Sequence, residues 1–307
     1  MNKKSLFLVL VLVSMVLLFG CMEQGLDKEY VQKQTTVKGQ GEIRVKAEAG
    51  RRVELKAEAA ENWEFVEWKG SLQGSTNPQT IVLDKGLNIA AEFKYVGPDI
   101  TGEGTAEKPF VIYTLAGLEK IGTKGYSLDA CYELGRDIDA SPTQKEAYNQ
   151  GKGWNPIGEI KNLDKNKYEA FTGKFNGNNY EIKNLYSKRK ESNFVGLFKL
   201  VEDGAIANLN LANVNIIGNK VVGGFAGFNG GTLDNIYVTG KVKGKGLVGG
   251  VNGFNGKRLE ASYYKGAVTG EYNVGGLVGK NGYLIESCSA YGQVEGQKKA
   301  GGLVEKN

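Results

Sequence analysis

The sequence predicts an all-β protein in which a small β domain precedes a parallel β-helix of 26-residue coils. Three observations predict it. The first is a short phrase of small apolar, Gly, Gly and large apolar residues. It recurs as Val222-Gly223-Gly224-Phe225, Val248-Gly249-Gly250-Val251, Val274-Gly275-Gly276-Leu277 and Ala300-Gly301-Gly302-Leu303. Val195-Gly196-Leu197-Phe198 reads as a looser first copy with Leu197 in the place of the second Gly, and successive copies start 27, 26, 26 and 26 residues apart. A fixed period in this range marks one supersecondary unit stacked on its neighbours. The second observation is what lies between the phrases. Short β-rich runs at residues 233–238, 259–264 and 284–288 are cut by Gly, Asn and Lys, and no stretch of ten or more residues has helical spacing. The third is that Gly240, Gly266 and Gly292 fall at the same place in each unit. Short strands and turns recurring once per coil let equivalent residues stack in columns about 4.8 Å apart.

The columns can be read directly. Leu233, Leu259 and Ile285 align and are expected to point into the core, as are Phe225, Val251 and Leu277. Glycine is 45 of 307 residues, about twice the usual ~7%. Because these glycines are periodic, they are expected to mark corners needing positive φ, or close approach to the next coil, rather than a disordered tract.

Elements follow in order from the N-terminus. Lys3 and Lys4 precede an apolar run over residues 6–19, too short and wrongly flanked to span a membrane. The run ends in Leu18-Phe19-Gly20-Cys21, which resembles a bacterial lipoprotein signal and its lipobox. That resemblance implies removal of residues 1–20, lipidation of Cys21, and a cell-envelope protein anchored outside the cytoplasmic membrane. The alternative is an ordinary secretory signal with an incidental Cys. Residues 21–30 read as a polar tether.

Residues 31–97 read as a compact β unit. Ile43 and Val45 alternate, Val53, Leu55, Ala57 and Ala59 lie at period two, and Ile89, Ala91 and Phe93 form a closing strand. The order Gly50-x-x-Val53-x-Leu55-x-Ala57, then Trp63-x-Phe65-x-x-Trp68-x-Gly70, then Ala91-x-Phe93 resembles the divergent internalin-type B repeat. The resemblance implies a β-grasp-like spacer domain. Trp63 and Trp68 are expected in its core, with stacking on sugars as the alternative.

Residues 98–192 are expected to cap the β-helix and form its first coils, with the repeats over 193–307. A short helix is expected near residues 115–121, with Thr114 as its N-cap. The run Gly102-Glu103-Gly104-Thr105 through Phe110, then Trp154-Asn155-Pro156-Ile157-Gly158, then Phe171-Thr172-Gly173-Lys174-Phe175-Asn176-Gly177 leads into Gly275-Gly276-Leu277-Val278-Gly279. This succession resembles surface proteins carrying the GLUG motif. It implies a right-handed parallel β-helix of pectin-lyase-like type over about two thirds of the chain. Some such proteins are attached to peptidases, but no His-Glu-x-x-His metal motif is present, so that activity is not carried over.

Composition excludes much chemistry. The absence of histidine removes Ser-His-Asp and Cys-His catalysis and His-ligated zinc. Loss of Lys3 and Lys4 with the signal takes the net charge from +5 to +3, too weak a bias for nucleic acid. The basic clusters Lys188-Arg189-Lys190, Lys257-Arg258 and Lys298-Lys299 read as solvated surface, with attraction to acidic polysaccharide or lipid headgroups as the alternative. Cys131 and Cys288 leave one disulfide open, but Cys288 stacks under Ile236 and Ser262 and reads as a small column residue.

One constellation remains. Asp234, Glu260 and Glu286 are 26 residues apart and each follows an inward residue, so all three are expected on one outer face. They form a candidate calcium column; the alternative is a solvated column neutralised by lysines such as Lys241 and Lys265. Tyr237 and Tyr263 form a candidate sugar-stacking column beside them. A β-helix polysaccharide-cleaving enzyme would need a cleft built by long insertions, and the coils read as too uniform to build one. The expectation is therefore a non-catalytic, lipid-anchored scaffold or adhesin that meets a surface polysaccharide or protein through its β-helix face. A carbohydrate-binding module is the alternative. The last phrase departs from pattern: Gly227, Gly253 and Gly279 stand five after the phrase start, where the final copy has Glu305. Self-association through this open coil is expected.

Overall fold

The computed structural model describes residues 34–47, 52–82, 84, 86–162, 165 and 167–304. The signal, Cys21, the tether and Glu305 lie outside the described residues. The chain divides into two compact units, residues 1–97 and 98–307.

The first unit holds β1 (Thr35–Lys38), β2 (Gly41–Ala47), β3 (Arg52–Ala59), β4 (Trp63–Gly70), β5 (Gln79–Val82) and β6 (Ile89–Tyr95). They form two three-stranded sheets, β1-β6-β4 and β2-β3-β5. Period-two alternation in β3 and β6 turns Val53, Leu55, Ala57, Ile89, Ala91 and Phe93 to a shared core with Ile43 and Trp68. Trp68 is fully buried, and its indole Nε1 donates to the Thr76 carbonyl at 3.0 Å. Trp63 is half-buried, edge-on to Tyr95 at 5.6 Å.

The second unit is a β-solenoid of about seven turns over residues 110–301. Its first coil carries the helix α1 (Leu115–Glu119). Thr114 caps it, accepting the Gly117 N–H at 3.1 Å while donating its own hydroxyl to Asp99 Oδ1 at 2.6 Å. One core column then runs the length of the solenoid by parallel pairing: Phe110, Tyr132, Phe175, Ile206, Leu233, Leu259, Ile285. Leu233, Leu259, Phe225, Val251 and Leu277 are wholly buried, and Ile285 is partly so, as the columns predict.

Two sequence expectations are corrected. Successive members of that column are 22, 43, 31, 27, 26 and 26 residues apart, so the early coils are far from uniform. Only apolar periodicity was visible in the sequence, and insertions break periodicity without breaking the ladder. Second, Val195 bridges Val222 while Phe198 pairs with Ala226, so the first phrase is one residue short. Leu197 is therefore the large apolar residue of its phrase, and one Gly is missing. The glycine expectation holds in both its parts, since Gly240 and Gly292 have φ of 132 and 122°, but a further corner that turns with positive φ is built from other residues. Asn208, Asn235, Ala261 and Ser287 have φ of 55, 54, 45 and 52°. Asparagine tolerates this region because its side chain bonds locally. Here Asn235 Nδ2 donates to Asn208 Oδ1 at 2.8 Å, and Asn208 Nδ2 to Asn176 Oδ1 at 3.1 Å. The phrase glycines serve close approach instead. A Cβ on Gly224 would meet the Gly250 carbonyl, and one on Gly250 would meet the Gly276 carbonyl and the Tyr264 ring.

Candidate functional site

The repeat coils present their outward residues in ladders. Asp234, Glu260 and Glu286 pair in register. Like charges one strand spacing apart repel, and the ion pairs of Glu260 and Glu286 run to Arg258, where the sequence pointed to Lys241 and Lys265. Arg258 Nε and Nη2 donate to Glu260 Oε2 at 2.8 and 2.5 Å, and Nη2 lies 4.0 Å from Glu286 Oε2. Lys257 turns to Asp203 at 2.8 Å. Among the described residues no group of three or more His, Cys, Asp or Glu is arranged to hold a metal ion.

Tyr237 and Tyr263 also pair in register, with ring centroids 5.2 Å apart and rings at 61°. Tyr291 extends this cluster, its ring 6.4 Å from Tyr263. It was missed because Tyr263 pairs with Ser289. Tyr291 lies two positions further on, and a strand returns to the same face at period two. A further aromatic ladder was missed altogether. Phe228, Phe254 and Lys280 are in register, the rings 5.4 Å apart and the ammonium 5.3 Å from the Phe254 centroid. Its signal is the same 26-residue spacing, hidden because the third member is not aromatic.

Inside the coils, Asn229, Asn255 and Asn281 form a ladder. Asn229 Nδ2 donates to Asn255 Oδ1 at 2.7 Å, and Asn255 Nδ2 to Asn281 Oδ1 at 2.9 Å. Cys131 and Cys288 are both free thiols. Cys288 Sγ accepts the Ser262 N–H at 3.4 Å, as Ser262 Oγ accepts that of Ile236 at 3.1 Å, and burial pushes the thiol up.

The irregular early coils build a cleft that the sequence reading had dismissed. The 43-residue coil between strands Cys131–Leu134 and Lys174–Asn176 carries two 3-10 turns, Ser141–Gln144 and Tyr148–Gly151, and the hairpin Glu159–Asn162 with Lys167–Glu169. Together with α1 these enclose about 500 Å³, lined among others by Glu119, Tyr148, Trp154, Glu159, Glu169 and Lys199. Trp154 anchors the floor. It is buried, its Nε1 donates to the Leu197 carbonyl at 3.0 Å, and its own carbonyl accepts from Arg189 Nε at 2.8 Å. Tyr148 donates its hydroxyl to Glu119, and burial together with that carboxylate raises its phenol. Glu169 pairs with Lys161 at 3.0 Å. Burial lowers the ammonium of Lys199, which makes no ion pair with a described residue.

With this geometry in view, residues 270–295 match the family model described as the GLUG motif. The chain carries the GLUG motif on a β-solenoid. The structure gives that motif its physical sense. A Cβ on Gly276 would meet the Gly302 carbonyl, Leu277 and Val278 are wholly buried, and a Cβ on Gly279 would lie 2.8 Å from the Gly253 carbonyl oxygen. Each glycine therefore stands where coils touch, and each apolar residue fills the space between them. The chain is 39% identical over 145 residues to halomucin of Haloquadratum walsbyi, a match covering 47% of this chain and 2% of halomucin. It is 34% identical over 144 residues to a protein of Evansella cellulosilytica named as a Gly-rich membrane protein, covering 45% of this chain and 15% of that protein. The chain thus spans a small part of the curated relatives it matches. Among the described residues no helix is long and apolar enough to cross a membrane.

Proposed function

We propose that this is a surface-associated, non-catalytic scaffold, lipid-anchored through Cys21, whose repeat coils meet another macromolecule. The observation that carries the reading is the set of in-register outward ladders, Tyr237–Tyr263 and Phe228–Phe254–Lys280, on a rigid stack of coils. Repeated side chains at one strand spacing suit a repetitive partner, because each coil offers the same contact again. The names of the two relatives, a mucin-like name and a membrane protein, support a place at the cell surface. On the repeat face the non-catalytic reading is supported by the setting of Asp234, Glu260 and Glu286, which line neither of the two described cavities. Calcium is not needed in this reading, since Arg258 supplies countercharge. Residues 31–97 would serve as a B-repeat-like spacer between anchor and β-helix.

A carbohydrate-binding face is the second reading, favoured by the Tyr237–Tyr263–Tyr291 cluster, whose first and last rings are 38% and 62% exposed. A glycan array probed with the full chain separates the two. A specific hit lost in Tyr263→Ala supports sugar recognition, and a blank array leaves a protein partner. For the anchor, Cys21→Ser is expected to release the chain from the membrane fraction or leave it unprocessed. A processed variant that stays membrane-bound would refute lipidation.

A further inference from the structure

The sequence motif Lys188-Arg189-Lys190 reads as solvated surface, yet Arg189 turns inward. Its guanidinium is half-buried and bonds two backbone carbonyls, Trp154 at 2.8 Å and Gly153 at 3.4 Å, with no carboxylate among its described partners. A second cavity of about 310 Å³ opens beside it, lined by Arg189, Ser192, Asn193, Phe194 and Lys199. Asn155, Pro156 and Lys199 line both this cavity and the larger cleft, so the two adjoin as one trough. Two half-buried cations therefore share a cavity, and neither makes an ion pair with a described residue; Glu159 favours the charged Lys199 only from longer range and does not outweigh its burial. Desolvating a charge without a partner is costly, and an anionic ligand would offset that cost.

Two further observations narrow the ligand. Phe194 holds φ = 57°, a left-handed conformation that is an outlier for a bulky side chain, and it lines the cavity beside the cations. Beyond Lys199 the trough continues past Asn155, Glu159, Tyr148 and Asn149, which offer donors and acceptors over a length that a bare anion would not fill.

We propose that this trough binds an acidic saccharide. The carboxylate of one sugar lies between Lys199 and Arg189, its ring packs against Phe194, and the adjoining sugars extend into the larger cleft. The site lies on the early coils and is independent of the repeat-face reading.

The test is calorimetric titration of the full chain with trigalacturonate and sialyllactose, with maltotriose and inorganic phosphate as controls. An acidic oligosaccharide is expected to bind, and maltotriose is not. Lys199→Gln should weaken binding about tenfold or more, as loss of a charge-assisted contact worth ~1.4 kcal/mol requires. Lys199→Arg should hold it within about threefold. Arg189 also supports Trp154, so the Lys199 pair carries the test, with melting curves confirming that both variants fold. Silence with both acidic probes, equal binding of maltotriose or phosphate, or indifference to Lys199→Gln would each overturn the proposal.

Discussion

Asn252 and Asn255 lie three positions apart on one strand, both wholly buried, and they should respond to the same substitution with opposite sign. Asn252 stands in a column between Ala226 and Val278, both fully buried and apolar. Neither its Oδ1 nor its Nδ2 has a hydrogen-bond partner among the described residues. A buried polar group without a partner costs about 1–3 kcal/mol. Valine fits a pleated, half-crowded column well, but its extra volume takes back part of the gain. Asn252→Val should therefore stabilise by about 1–2 kcal/mol, raising Tm by roughly 2–8 °C for a unit of this size.

Asn255 is the reverse case. It accepts from Asn229 at 2.7 Å and donates to Asn281 Oδ1 at 2.9 Å, with further bonds to the Lys257 and Leu284 carbonyls, each at 3.2 Å. Asn255→Val strands several buried partners at once and should cost about 3 kcal/mol or more, lowering Tm by roughly 6–12 °C. The assay is thermal melting followed by circular dichroism for the parent and both variants at one scan rate. If both substitutions move Tm in the same direction, hydrogen-bond satisfaction is not what separates these two asparagines, and the reasoning fails.

Two other substitutions probe the coil geometry. Gly250→Ala would drive a methyl group into the Gly276 carbonyl and the Tyr264 ring, and should destabilise by about 1–3 kcal/mol in urea melts. A neutral result would mean that the coils can separate locally. Ala261→Asn places at φ = 45° a residue that tolerates this region and continues the column of Asn208 and Asn235. It should stabilise by about 0.5–1 kcal/mol, and a loss of stability would show that the strain at Ala261 is already relieved by its neighbours.

What could be read from the sequence follows from what periodicity records. The 26-residue phrase is visible because most inward places in a regular coil hold an apolar residue, and the closest coil-to-coil contacts of the phrase demand a glycine. Leu233, Leu259, Phe225, Val251 and Leu277 were therefore legible as core, and Thr114 as a cap before Gly117. The early coils obey the same ladder, from Phe110 to Tyr132 to Phe175, but their insertions shift the spacing and hide it. The cleft is made by those insertions, so its residues had no pattern to betray them. Arg189 looked like one basic residue among three, and its burial against the carbonyls of Trp154 and Gly153 distinguishes it from Lys188 and Lys190. The inner asparagine ladder was present in the text as Asn229-Gly230, Asn255-Gly256 and Asn281-Gly282, a dipeptide that ordinarily reads as a turn. Buried amides stacked along a solenoid make a bond to each neighbour, which no single turn can do.

The same ladders decide what happens at the outermost described coil. Leu259, Ser262, Tyr264 and Val268 are buried, but the residues beneath them, Ile285, Cys288, Ala290 and Val294, are only partly so. Around them Tyr283 is 67% exposed, Tyr291 62%, and Leu284 and Leu303 close to two fifths. A coil is covered by its neighbour, and among the described strands Leu284–Glu286 and Ser289–Gly296 pair on one side only, beside apolar side chains that a further coil or another chain would cover. A polypeptide limited to these 307 residues should therefore self-associate in a concentration-dependent way, measurable by light scattering. Tyr283→Lys with Leu284→Lys should weaken it by placing like charges in the contact. Deleting residues 299–307 should not, because the coil beneath then becomes the open face. A strict monomer at high concentration would instead mean that the partly exposed column is covered from within the same chain.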